Sequence, residues 1–282
     1  MFGKKCEAYR QIRDRGNSIR EMGKGLEVIN VGSTAAVYSF DYSLLGKEGA
    51  NLAMTPQPLL YDYRLLQQYI DNLRPCGNIF ICLCQFTFLV ESYEHPAAHL
   101  KYYDCLDKEK ISGYSSLRRF LWEHMPVAVM PSLLKSWIRE KKKRTEECID
   151  APAENWMQGW AQEFGWKEEY QLTGKQKETA GRVYQILLEM TKFCKEQGKR
   201  PTVILMPFSE KMHQEIPEKL LRECFWNYID NYKNNGGEVL DLLSDKELRK
   251  PEYYCQSLIL NKEGKRVFNR RVSEYLNRRG NK

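Results

Sequence analysis

The chain has 282 residues, enough for one large α/β domain or two small ones. Its 42% hydrophobic and 12% aromatic content suits a packed core, and 44 basic against 37 acidic residues leave a net charge of +7. The basic residues are scattered, which argues against nucleic-acid binding. Nine cysteines, with no C-x-x-C pair, do not form a disulfide framework at this size, and the four histidines lack zinc-ligand spacing with them. No metal and no cofactor are expected.

Residues 1–25 are charged and read as a basic helix or tail, set apart from one α/β domain over 26–282. They lack the apolar core of a signal peptide, and no apolar run approaches the roughly 20 residues of a membrane span. A soluble, cytoplasmic protein without a membrane span is the expectation. Leu26 to Val31 is a β-branched apolar run and reads as the first strand. It leads into Gly32-Ser33, a tight turn that presents a serine hydroxyl. Asn51 to Met54 reads as a short second strand. Leu59 to Leu73 spaces its apolar residues as an amphipathic helix, which Arg74-Pro75-Cys76-Gly77 ends. Asn78 to Cys84 is a nearly continuous apolar run, as a strand buried on both faces would be.

From about 91 to 174 strands are absent, and the segment reads as a helical insertion or cap. A helix over Ser115 to Arg144 is interrupted near Pro126 and Pro131 and ends in the basic run Lys141 to Arg144, read as a solvated helix end. Trp156, Trp160 and Trp166 read as packing residues on the underside of the cap. Beyond it come a helix over Lys175 to Gln197, a buried strand at Thr202 to Met206 and mostly helical chain from Glu210 to Asn234. A short strand at Glu238 to Asp241 and a helix over Asn261 to Arg279 complete the chain. Strands alternating with helices imply a five-stranded parallel sheet in a flavodoxin-like α/β/α sandwich.

In such a fold, ligands collect at the carboxyl ends of the strands. That edge gathers Gly32-Ser33, Ala53-Met54-Thr55, Gln85-Phe86-Thr87 and Pro207-Phe208-Ser209. Nucleotide binding is disfavoured, since neither Gly-x-Gly-x-x-Gly nor Gly-x-x-x-x-Gly-Lys occurs at a strand-helix turn.

Several short segments in order are Asn30-Val31-Gly32-Ser33, Asn51 to Met54 with Gln57, Tyr61-Asp62-Tyr63, Lys101-Tyr102-Tyr103 and Leu260 to Gly264. Across nearly the whole chain they resemble the SGNH (GDSL-like) hydrolase superfamily. The likeness is to a branch in bacterial polysaccharide modification that includes O-acetyl esterases and O-acyltransferase-like proteins. The resemblance implies Ser33 as nucleophile, with Gly32, Ala53, Met54 and Gln85 around the oxyanion and substrate. It also implies a D-x-x-H segment before the last helix. Here Gln256 stands at the aspartate position and Ile259 at the histidine position, while Leu260 and Asn261 keep the register. Ile259 cannot accept a proton, so the resemblance implies an impaired site.

His213 is the candidate substitute base. His95, His99 and His124 in the insertion, with Asp41 and Asp241 near the strand ends, complete the candidates. Two readings result. One is a serine esterase or acyltransferase acting on acylated carbohydrate. The other is a catalytically silent relative that binds a glycan or a protein partner.

Overall fold

The computed structural model describes residues 6–142, 153–166 and 170–280. These fall into two compact units, one of Met1–Gly23 with Ser92–Ile149 and one of Lys24–Glu91 with Asp150–Lys282. The N-terminal segment thus shares a unit with much of the expected insertion, and the remainder of that insertion belongs with the sheet. Within the basic run, Lys143 and Arg144 lie outside the described residues.

The larger unit holds five strands: β1 (Leu26–Gly32), β2 (Gly49–Asn51), β3 (Leu73–Leu83), β4 (Arg200–Leu205) and β5 (Val239–Asp241). All four pairings are parallel, and the strand order is β2-β1-β3-β4-β5. This is a doubly wound sheet of flavodoxin-like order, whose direction of winding reverses between β1 and β3. The Val- and Ile-rich runs of β1, β3 and β4 are buried on both faces, as parallel strands are.

Side chains alternate between those faces. Val28, Phe80, Cys82, Ile204 and Met206 share a core with Phe268 and Val272 of the terminal helix Lys262–Gly280. Phe40 meets Phe268 edge-on, with ring centroids 5.1 Å apart. On the opposite face the helix Leu59–Tyr69 packs on β1, and the helix Gly174–Glu196 packs on it and on β4. Thr173 and Gln176 close a capping box at the start of the latter, with bonds of 3.2 and 2.9 Å.

Two local expectations are corrected, and one element is added. The second strand lies earlier, at Gly49–Asn51, although Leu52 and Met54 still donate to Asn30 and Gly32 carbonyls along β1 (2.7 and 3.2 Å). Arg74-Pro75-Cys76-Gly77 does not end the helix, which tightens into a turn at Ile70–Asn72. Those four residues form a bulge inside β3, so that Leu26 pairs with Leu73 but Val28 with Asn78. Pro75 has no N–H for a ladder and Cys76 sits at φ 56°, so the segment leaves the sheet plane. Finally, Tyr254–Gln256 (β6) and Ile259–Leu260 (β7) form an antiparallel hairpin.

In the smaller unit, the helix Glu7–Arg20 packs on the 3-10 run Pro96–Asp104 and on the helix Ser132–Lys142. Tyr9 donates to the Trp122 carbonyl at 2.9 Å. Buried Asp104 lies 2.8 Å from Arg13 Nε and accepts from Trp122 Nε1 at 3.3 Å. Lys101, Tyr102 and Tyr103 are buried in this unit. Among the described residues no helix is long and apolar enough to cross a membrane.

Candidate functional site

Ser33 follows β1 directly and opens the helix Thr34–Ser39. It therefore stands at the carboxyl end of the strand where the sheet reverses its winding, the position at which ligands bind in folds of this order. A serine at a helix start ordinarily turns its hydroxyl onto the first-turn N–H groups. Ser33 makes no such bond. Its Oγ instead accepts the backbone N–H of Gln57 at 3.1 Å, and the residue is half-buried. A donor aimed at the oxygen favours an oxyanion there and leaves the hydroxyl proton to point elsewhere.

The turn is held from below by buried polar groups. Gly32 has φ 141°, and a Cβ there would come within 2.8 Å of Cys82 Cβ, 2.9 Å of the Cys82 carbonyl and 3.0 Å of Ala36 Cβ. The Gly32 N–H donates to Asp62 Oδ1 at 2.7 Å, and Asp62 is 2% exposed. Gln57 Nε2 reaches the same carboxylate at 2.5 Å, with further bonds to the Gly32 and Leu52 carbonyls. Its Oε1 is buried without a hydrogen-bond partner. Beside them, Asn30 donates to Asn51 at 2.9 Å and accepts from the Tyr42 hydroxyl at 2.7 Å.

This network was only partly visible in the sequence. Gln57 and Asp62 belong to the segments that carry the family resemblance, yet neither was assigned a role. The available signal was a carboxylate on the apolar stripe of the helix Leu59–Tyr69, among buried Leu59, Leu65 and Leu66. A buried carboxylate needs partners, and here they include the Gly32 N–H of the serine turn and the Gln57 side-chain amide.

Ala53 and Met54 are buried after β2, and both N–H groups are committed: Ala53 to Asn51 Oδ1 at 3.0 Å and Met54 to the Gly32 carbonyl. Gln85 is buried just beyond β3, and its carbonyl accepts from the Cys224 thiol at 3.5 Å. The Phe86 ring beside it packs against Trp160 and Trp166, at centroid distances of 4.9 and 5.1 Å.

Gln256 and Ile259 face one another across the β6-β7 hairpin. Strand β7 packs on the helix that Ser33 opens, and the Ser257 carbonyl accepts the Ser209 N–H at 3.0 Å, tying the hairpin to the chain after β4. Neither the Ile259 hydrocarbon nor the Gln256 amide can take a proton.

The remaining candidates have local partners. His213 stacks on Phe208 with ring centroids 4.2 Å apart, and its Nε2 is buried without a hydrogen-bond partner. Burial foremost, then the charge of Arg249, pushes its pKa down to about 4. Such an imidazole is neutral at pH 7 and a weak base. Asp41 caps the short helix Tyr42–Leu45, and Asp241 accepts from the N–H and hydroxyl of Ser244. His95 accepts the Ala97 N–H, His99 bonds the Tyr93 carbonyl and His124 bonds the Phe120 carbonyl, all within the smaller unit.

The depressed His213 pKa sets a pH dependence. Above about pH 6.5 both folded and unfolded chains carry the neutral ring, and its contribution to stability is intact. As pH falls, the unfolded chain gains the proton first, so stability declines down to about pH 4. Allowing for partial exposure of the ring, the loss is about 1–2 kcal/mol. Urea unfolding at pH 7 and pH 4.5 should show wild type losing that much more than His213→Leu. Equal losses would refute the assignment.

Neither a scan against protein-family models nor a search of curated proteins finds a match. Among solved structures, this chain is similar to one from Desulfitobacterium hafniense DCB-2 described as a lipolytic protein of the G-D-S-L family. Identity is 11% and the TM-score 0.43, over 88% of this chain and 98% of that one. A Bacteroides fragilis structure described as an acylhydrolase gives 9% and 0.42, over 99% and 98%. The fold described above rests on this chain's own strand order.

Proposed function

We propose that the Ser33 turn at the carboxyl ends of β1 and β3 is an acyl-ester site of SGNH type, directed at acylated carbohydrate and catalytically impaired. The observation that carries this reading is the Ser33 hydroxyl. It sits at the sheet's switch point, is released from helix capping and is held by the Gln57 N–H. Ser33 Oγ would attack the acyl carbonyl, forming the Oγ–acyl bond as the ester C–O bond breaks; the serine proton passes through solvent to the departing alcohol, and water then hydrolyses the acyl-serine. The serine proton has no imidazole to receive it at the expected position, because Ile259 stands there. Loss of such a base lowers turnover by several orders of magnitude. The Ser33 N–H is the candidate oxyanion donor, since those of Ala53 and Met54 are engaged.

A panel of short-chain acyl esters and acetylated sugars tests this. Wild type should show slow turnover that Ser33→Ala abolishes. The double substitution Gln256→Asp with Ile259→His should raise kcat about 100-fold, the lower end of general-base assistance. Turnover that survives in Ser33→Ala would eliminate the catalytic reading.

The second reading is a silent protein that binds a glycan or a protein partner at the same turn. It is favoured by the paired exchange at Gln256 and Ile259. No turnover in wild type or in the double variant, with a glycan retained by wild type, would select it.

A further inference from the structure

At the opposite, amino-terminal edge of the sheet lies a cavity of about 640 Å³. Its walls are the starts of β1 and β4, the bulge in β3 and the last turns of the terminal helix. From Glu27 to Ser33 is six strand residues, or about 20 Å at the usual rise, so this cavity is remote from the serine turn. Lys47, Arg74, Arg200 and Arg279 line it, against the single acid Glu27.

The cations are arranged in two ways. Arg279 is fixed: its side chain is 18% exposed, it donates to Thr202 Oγ1 at 2.8 Å, and it is paired with Glu238. Glu27 holds Arg74 at 2.8 Å and Lys47 at 3.6 Å on the opposite wall. Arg200 is exposed and makes no ion pair among the described residues. The bulge is what brings Arg74 here. Three more residues of β3 than of β1 lie between the paired positions Leu26–Leu73 and Val28–Asn78, and Cys76 takes a left-handed φ of 56° to form the loop. Three planar guanidinium groups and an ammonium around one space match the oxygens of a phosphate, which arginine recognises with parallel N–H bonds. The volume exceeds that of a lone anion and falls within the range of small-molecule sites.

We propose that this cavity binds a phosphorylated small molecule. Cys76 reports on it, because its thiol is exposed and lines the same space. The probe is pyrophosphate, and the readout is alkylation of Cys76 by iodoacetamide, followed by peptide mass analysis. Exposed Cys255, which does not line the cavity, is the internal reference. At about ten times its Kd, pyrophosphate should slow Cys76 labelling about tenfold, since only the free fraction reacts, and leave Cys255 unchanged.

The double variant Arg74→Gln with Arg200→Gln should lose the protection. Both residues are exposed, and Arg74 gives up only a surface pair, so the variant keeps its fold. Citrate at equal ionic strength should protect no more than salt. The proposal is overturned if pyrophosphate leaves the Cys76 rate unchanged, slows Cys255 equally, protects the double variant or is matched by citrate. No outcome depends on Ser33.

Discussion

Gly32→Ala is expected to lower stability by about 3–5 kcal/mol, combining backbone strain with overpacking. The φ of 141° is open to glycine alone, and an added methyl meets Cys82 Cβ, the Cys82 carbonyl and Ala36 Cβ within 3.0 Å. All three are backbone or first side-chain carbon atoms of the neighbouring strand and helix, so no rotamer change relieves the contact. Urea unfolding measures the effect. Gly25→Ala is the control, with φ 78° and open space around it, and should lose only about 1 kcal/mol from strain. Similar losses in both variants would show that the close approach at Gly32 is not what constrains the turn.

Asp62→Ala should be comparably severe, about 3–5 kcal/mol, because buried donors lose a charged acceptor. The carboxylate is 2% exposed and accepts from the Gly32 N–H and Gln57 Nε2. With alanine there, the Gly32 N–H faces a dry gap, while Gln57 Nε2 keeps only its bonds to the Gly32 and Leu52 carbonyls. Asp62→Asn keeps one oxygen and should lose about half as much, since one acceptor bond persists. Urea unfolding of the two variants supplies the comparison. Asp62→Ala within 1 kcal/mol of wild type would mean that the serine turn is held by other contacts. The variant should also release Gln57, whose backbone N–H holds the Ser33 oxygen, so turnover or ligand retention should fall in parallel.

The parts of this arrangement were unequally legible in the sequence. β1, β3 and β4 announce themselves because strands covered on both faces must be apolar throughout. Ser33 was visible as the end of such a run. The bulge was not, because Arg-Pro-Cys-Gly is equally the composition of a helix stop. Nor was the β6-β7 hairpin, whose strands have three and two residues and too little alternation to register. The amphipathic helix Glu7–Arg20 shows that it buries a face, with Tyr9 and Ile19 inward. Its pattern does not name the partners, Lys101, Asp104 and Trp122, which lie about 85 to 113 residues onward and which it meets through Gly16, Arg13 and Tyr9. At the carboxyl edge, position and residue type pointed to Ser33, whereas Gln256 and Ile259 enter as candidates only through the family resemblance. The Gln57 N–H is a backbone group, and no sequence pattern marks which backbone group will face a hydroxyl.

The sheet's two outer strands have a consequence for behaviour at high concentration. β2 and β5 are each three residues long. An incoming chain finds few free peptide groups on either flank to zip onto. Strand addition from a second molecule, the usual first step toward fibrils, has little template here.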